Sequence, residues 1–333
     1  MSDEFAPGHK RRRSLQDSPV DLTIMQKARS SLLSLQRELE GIDETQDQLT
    51  TIMAQIDIVQ QILGTAKKPK VSFSSISKAD LKNVGIERKL LQMQSAQLAS
   101  MLEAEVAKTS HVQQLCLRIE RIYRHVSMRF EAGPRMILDA VLLTVAEISS
   151  DGDTKVPVAI LPEMRIASGE GVLLKNPVTD FELWVTGSVN YGLCTYEQED
   201  LRRDRVLSAD VDDARLLAKS KIFLIEAKRL QDKPLYDFMP EAIAQAVALC
   251  EVTKTQTVRF CLTDGRKWVF CLFSKNPAGE RVCYEGNSFS IPEPSALLNG
   301  ALWQESVRQV VELVHHWLVE EKDPMEDSLS SLQ

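Results

Sequence analysis

The sequence KIFLIEAK, residues 221–228, decides the fold of this chain. Its four consecutive apolar residues, 222–225, favour a strand that is buried on both faces. Alternate side chains of a strand point to the same face, so Glu226 and Lys228 should project together while Ala227 faces the other way. A buried acid and base are costly unless they have a partner or a function. The pattern therefore predicts a buried strand with a paired or functional acid and base at its end.

Two further segments, one before residues 221–228 and one after them, each contain a polar residue of interest. VTDFELWV, residues 178–185, is rich in β-forming residues and contains Asp180, whereas PEAIAQAVALC, residues 240–250, has helical spacing and contains Gln245. An Asp, then Glu-x-Lys at the end of an apolar strand, then a helix with Gln resembles the PD-(D/E)XK nuclease superfamily. LTDGRKWVF, residues 262–270, is similar to the turn and aromatic strand after the core helix of such domains. The chain also resembles uncharacterised fungal members of that group.

The resemblance, which covers residues 130–320, implies a fold, an activity and a set of site residues. The fold would be α/β, a restriction-endonuclease-like core with a mixed central sheet flanked by helices. The activity would be Mg²⁺- or Mn²⁺-dependent hydrolysis of nucleic acid, DNA more than RNA, with Asp180, Glu226 and the Ala227 carbonyl as metal ligands. Lys228 would position or deprotonate the attacking water, and Gln245 would orient the substrate or a water. Three acids are candidates for supporting positions around the metal: Glu147, Glu163 and Glu182.

A catalytically inactive, nuclease-like scaffold is the alternative interpretation. In it, Glu226 and Lys228 form a structural ion pair, and a helical arm acts as the interaction module. The distribution of charge leaves this alternative open. The first 130 residues carry a net positive charge, whereas the rest is strongly acidic within a total of −7. An acidic nuclease domain needs a local basic surface, or a partner that delivers its polyanionic substrate.

The first 130 residues read as a tail followed by a helical arm. Residues 1–20 are polar and predicted to be disordered, and HKRRR at 9–13 resembles a nuclear localisation signal or a phosphate-binding arm. Residues 21–130 predict two long amphipathic helices, one with heptad spacing over 32–63 and one over 80–130. They form either an antiparallel coiled-coil hairpin or a dimerisation arm that makes the protein a homo-oligomer. EAGP at 131–134 marks the predicted start of the nuclease-like domain, which runs to 320 before an acidic, disordered tail at 321–333.

Several further features of the domain follow from residue patterns. The predicted elements include a hairpin near 169–171, a charged, irregular excursion over 191–219, a turn at 263–266 and a final helix over 297–319. Trp268 and Phe270 share a face and are predicted to belong to the core. The six scattered cysteines predict buried, reduced thiols. No apolar run is long enough to span a bilayer and no secretory signal is present, so we expect an intracellular protein, nuclear or cytoplasmic, without a membrane.

Overall fold

The computed structural model describes residues 70–91, 107–151, 156–166, 171–196, 222–228, 234–276, 279–294 and 300–319, with isolated positions elsewhere. The chain divides into two compact units. One comprises residues 1–69 with 179–181, and the other comprises 70–178 with 182–333. The second unit contains all the regular elements described below. The predicted heptad helix and both predicted tails lie outside the described residues, apart from isolated positions.

A seven-stranded mixed sheet forms the centre of the second unit. Its strand order is β2-β10-β9-β8-β7-β6-β3, in which β2 pairs with β10 and β7 with β8 in parallel and the other neighbours are antiparallel. A separate three-stranded sheet has the order β1-β5-β4. The strands are β1 (Lys70–Ser72), β2 (Ile86–Leu90), β3 (Val158–Arg165), β4 (Val172–Lys175), β5 (Glu182–Thr186), β6 (Ser188–Thr195), β7 (Ile222–Ala227), β8 (Thr257–Thr263), β9 (Lys267–Lys275) and β10 (Arg281–Ser290).

Helices flank the large sheet, as the α/β prediction requires. They are α1 (Lys78–Asn83), α2 (Thr109–His125), α3 (Ala132–Asp151), α4 (Met239–Thr253) and α5 (Gly300–Val319). The helices α2, α3 and α5 pack together on the sheet face that carries Phe223, Ile225 and Ala227. The helix α4 contacts β7, β8 and β9 and also β4 of the small sheet. Among the helices that the structure describes, none is both long and apolar enough to cross a membrane.

The prediction for β7 is confirmed. All six residues of Ile222–Ala227 are buried, and the strand lies between β6 and β8 in the sheet. A strand in this position must be apolar on both faces because helices cover both sides of it. The predicted core position of Trp268 and Phe270 is also confirmed, since each is 0% exposed. All six cysteines are free and buried, as expected.

Two predictions about local structure are wrong. The second long helix, predicted over 80–130, is interrupted at Ile86–Leu90, which is a strand that pairs in parallel with β10. Asp80 closes a capping box with the N-cap Ser77 at the start of the short helix α1. The excursion predicted over 191–219 begins as a strand, because β6 extends to Thr195.

The larger unit therefore starts well before the predicted domain boundary at residue 131. Lys70 is its first residue, and β1 and β2 each complete one of the two sheets. The apolar stripe of α2, which includes Val112, Cys116 and Ile119, belongs to the hydrophobic core of the same chain. This part of the predicted arm is thus covered by α3 and α5, without a second copy.

Candidate functional site

The end of β7 carries a group of one ammonium and two carboxylates. The Nζ atom of Lys228 lies 2.7 Å from Oε1 of Glu226 and 2.7 Å from Oε2 of Glu241. Glu226 is the penultimate residue of the buried strand, whereas Glu241 lies in the first turn of α4, where the helix dipole favours an acid. The side chains are 5%, 15% and 13% exposed for Glu226, Lys228 and Glu241, so all three charges are largely removed from water. The prediction that Glu226 and Lys228 project together is confirmed.

Two amides complete this group. Gln245, on α4, donates from Nε2 to Oε2 of Glu226 over 2.8 Å. Asn190, on β6, donates its backbone N–H to the same oxygen over 3.4 Å and accepts from the backbone N–H of Ala227 over 2.7 Å. Both oxygens of Glu226 are therefore engaged, one by Lys228 and the other by the amides. The carboxylate that ends β7 is held in one orientation from three directions.

The burial of this group changes its protonation. Burial raises the pKa of Glu226 to about 7; Lys228 opposes the shift, and the nearby charge of Glu241 adds to it. Burial disfavours the charge on Lys228, but Glu226 and Glu241 outweigh this and raise the pKa of the ammonium above its ordinary value. Lys228 is consequently protonated at neutral pH while both carboxylates hold it, and Glu226 titrates near neutrality.

A second polar group lies on β3, β6 and α3. The Tyr191 hydroxyl donates to Oδ1 of Asp139 over 2.5 Å, and the guanidinium of Arg135 lies 5.6 Å from the centroid of the Tyr191 ring. Burial, followed by the bond to Asp139, raises the pKa of Tyr191 to about 12. Arg135 also pairs with Glu163, one of the three predicted supporting acids. The carboxylate of Glu163 is thus held by α3.

The remaining predicted site residues lie elsewhere in the fold. Asp180 is in the turn between β4 and β5, with a left-handed φ of 54°, and it belongs to the first of the two compact units. Its predicted meeting with Glu226 therefore stays a prediction. Glu182 pairs in register with Lys175 in the three-stranded sheet, and Glu147 is exposed on α3. Of the four predicted catalytic residues, the larger unit brings together Glu226, Lys228 and Gln245.

Sequence reasoning missed Asn190 and Glu241 as members of the site. Asn190 lies directly before the segment 191–219, which was interpreted as an irregular excursion, so no predicted strand carried it beside β7. Glu241 had a usable signal, because it follows Pro240 at the start of the helix that carries Gln245. Gln245 lies four positions after Glu241, and this spacing places them on one face of a helix. An acid one turn before a predicted site residue was therefore a candidate.

No protein-family model matches the chain, and the search of curated proteins finds no match either. The chemistry of the site therefore has to be argued from its own side chains. Within the described residues, no group of three or more His, Cys, Asp or Glu side chains converges as a metal site. The donors at the end of β7 are the carboxylates of Glu226 and Glu241 and the amide oxygen of Asn190. All are hard oxygen donors of the type that Mg²⁺ accepts, so their chemistry fits such an ion.

Proposed function

We propose that the protein is a metal-dependent nuclease that hydrolyses phosphodiester bonds in nucleic acid, with its site at the end of β7. The observation that supports this function is the meeting of Glu226, Lys228 and Gln245 in one hydrogen-bonded group. The end of β7 and the helix α4, which follows it in the chain, supply these three residues. With Asp180, they are the residues on which the resemblance to the PD-(D/E)XK superfamily rests. In this proposal, the α/β domain has a restriction-endonuclease-like fold.

The cofactor of this proposal is Mg²⁺ or Mn²⁺. Glu226 would be its ligand at the end of β7, with the Ala227 carbonyl and Asp180 as the further ligands that the resemblance implies. When Glu226 is ionised, the two carboxylates and one ammonium leave one net negative charge beside β7, which attracts a divalent cation. A bound ion would polarise a phosphoryl oxygen and lower the pKa of a coordinated water.

The protein's own side chains have separate roles in this proposal. Lys228 is protonated, so it donates a hydrogen bond to the attacking water or to a phosphoryl oxygen and does not remove a proton. Glu241 holds the ammonium of Lys228 in place. Gln245 fixes the orientation of the Glu226 carboxylate through its 2.8 Å bond. DNA is the proposed substrate in preference to RNA.

A cleavage assay with matched variants tests this function. The full chain is incubated with labelled single- and double-stranded DNA and RNA in Mg²⁺, in Mn²⁺ and in a chelator. Glu226→Gln and Lys228→Gln should each lower the rate by at least about 10²-fold. The chain offers a matched control on β2, where Glu87 and Lys89 form another Glu-x-Lys pair, 3.3 Å apart and well exposed. Glu87→Gln and Lys89→Gln should leave cleavage unchanged.

The outcomes separate the parts of the proposal. Loss of cleavage in Asp180→Ala supports a metal ligand from the turn before β5, whereas full activity of that variant removes Asp180 from the site. Equal activity in wild type, Glu226→Gln and Lys228→Gln would refute a site at the end of β7. No cleavage of any substrate by the wild-type protein would refute the nuclease function.

The non-catalytic scaffold is the second candidate, and one observation favours it. Lys228 is compensated by two carboxylates at once, which is the arrangement expected of a buried structural ion pair. On this alternative the end of β7 stabilises the fold, and residues 21–130 carry the interactions, including self-association. Light scattering on the full chain tests that part, because a strictly monomeric protein would contradict the proposed homo-oligomer.

A further inference from the structure

We infer that the exposed face of α2 is the surface on which this protein binds the phosphate backbone of nucleic acid. The surface, called here the arginine face, consists of Arg118, Arg121 and Arg124. The inference rests on the proposed nuclease function, since it identifies how the substrate would be held. Binding and cleavage are measured separately below, so each can fail without the other.

The helix itself sets the geometry of the arginine face. Val112, Leu115, Ile119 and Ile122 are buried on the opposite side of α2, which fixes the helix against α3 and α5. The three arginines recur every third residue on the side that remains, and each is exposed. A helix rises about 1.5 Å per residue, so the Cα atoms of successive arginines lie about 4.5 Å apart along the helix axis. A row of cations with this spacing can follow a chain of phosphates.

Among the residues that the structure describes, no acidic side chain pairs with the arginine face. Glu120 is the single acidic residue of α2, and it is half-buried, with its charge felt by the core thiol of Cys116. The chain as a whole carries a net charge of −7. A row of unpaired cations on an acidic protein indicates a polyanionic partner.

The last turn of α2 lies near the same end of β7 and β8 as the candidate site. Tyr123, in the last turn of α2, lies close enough to the turn after β8 to feel the charges of Arg266 and Asp264. Within that turn, a side chain at Gly265 would meet the backbone of Pro134, at the start of α3. The carbonyl at the start of the turn, that of Thr263, accepts the backbone N–H of Lys228 over 2.8 Å. Glu226 lies on the other face of the sheet, against α4, so a phosphate chain bound along α2 would have to pass around this end of the sheet to reach it.

Nucleic acid fits this surface better than other polyanions do. Guanidinium groups donate in pairs to phosphate oxygens, and their contacts to the backbone position a nucleic acid without reading its sequence. The proposed cleavage site acts on a phosphodiester, and the last turn of α2 lies near the same end of β7 and β8. Double-stranded nucleic acid carries about one negative charge per 1.7 Å of its axis, which matches a closely spaced row of cations.

Fluorescence anisotropy of the full chain with a labelled 30-base-pair DNA duplex, in a chelator, tests the inference. The key variant is R118Q/R121Q/R124Q, and the matched control is K78Q/K82Q/K89Q, which removes three exposed charges from α1 and β2. Both are also made in a chain with Arg11, Arg12 and Arg13 changed to Gln, so that any phosphate binding by the basic tail is removed from the comparison. If each arginine neutralises one phosphate, the slope of log affinity against log salt falls by about 3, and affinity at 0.15 M salt falls about 100-fold.

Each outcome is decisive for the arginine face. Affinity and salt slope that match the wild-type values in the arginine variant would overturn the inference, and so would an equal loss in the lysine control. Vesicles of anionic phospholipid form a second arm; arginine-dependent binding there that exceeds binding to DNA and RNA would assign the face to membranes instead. Arginine-dependent binding of DNA without cleavage would support the inference while refuting the nuclease function. Circular dichroism checks that the exposed substitutions leave the fold intact.

Discussion

Replacing Glu226 with Gln should abolish a loss of stability that the wild-type protein suffers as the pH rises. The pKa of Glu226 is raised from 4.5 to about 7 in the folded chain, chiefly by burial. The folded state then binds the proton more tightly than the unfolded state does. The free energy of unfolding must therefore fall with increasing pH between these two values. The contribution is complete below pH 4.5 and lost by the time the pH passes through about 7.

The magnitude follows from the size of the shift. One pKa unit corresponds to 1.36 kcal/mol, so the shift of Glu226 amounts to about 3 kcal/mol across this window. The side chain is 5% exposed, so screening by water removes little of that value. Gln has nearly the same shape and no charge, so the variant should lack this pH dependence. Lys228 keeps Glu241 as its partner in the variant, which limits the disruption.

Urea unfolding of the full chain at several pH values between 4.5 and 8 measures the effect. All four tryptophans lie in the larger unit, so their fluorescence reports on the unit that contains the site. The difference in unfolding free energy between wild type and Glu226→Gln should change by about 3 kcal/mol over the range. Glu87→Gln is the control, because its side chain is 63% exposed and should shift stability by less than about 0.5 kcal/mol at every pH. Parallel curves for wild type and Glu226→Gln would refute the reasoning.

Three further predictions concern the surroundings of the site. Glu241→Gln removes a charge that raises the pKa of the β7 carboxylate, so the same urea titration should show a smaller loss of stability with pH; a larger loss would contradict this. Gly265→Ala should lower the free energy of unfolding by at least about 1 kcal/mol more than Gly279→Ala does. Both glycines have left-handed φ angles, but only at Gly265 would the new Cβ lie 2.9 Å from the Pro134 carbonyl oxygen. Equal losses in urea unfolding would refute a packed turn. Asn190→Asp adds a carboxylate beside β7, so 10 mM Mg²⁺ should raise its thermal midpoint by more than that of wild type, and equal shifts in scanning calorimetry would rule out an ion there.

Much of the region from β7 to β9 could be predicted because its patterns are unambiguous. The run 222–225 is too apolar for anything but a strand covered on both faces, and the period of 240–250 changes to that of a helix. The turn at 263–266 has a Gly where the backbone must approach another segment closely. Gln245 was assigned to the site by the resemblance, and the structure shows that it donates to Glu226.

The strands β6 and β2 could not be predicted because their residues suit contacts with segments that are distant along the chain. A side chain at Gly192 would place its Cβ 2.5 Å from Sδ of Met164 on β3, so β6 carries a residue that disfavours strands in isolation. With β6 interpreted as a loop, Asn190 could not be placed beside Glu226. The strand β2 is mostly exposed and charged, and its pairing with β10 spans almost two hundred residues. No local pattern contains that information.

The position of β2 has a practical consequence for work with shortened chains. A chain that begins at residue 131, where the composition suggests a domain start, would lack β2 and leave the Arg281–Glu285 part of β10 unpaired at the edge of the sheet. It would also lack Arg88, the ion-pair partner of Glu285, and leave the Glu285 carboxylate uncompensated at the new edge of the sheet. An uncovered, regular strand recruits strands from other molecules. Such a truncated protein should aggregate on expression, whereas one that begins before Lys70 should stay dispersed.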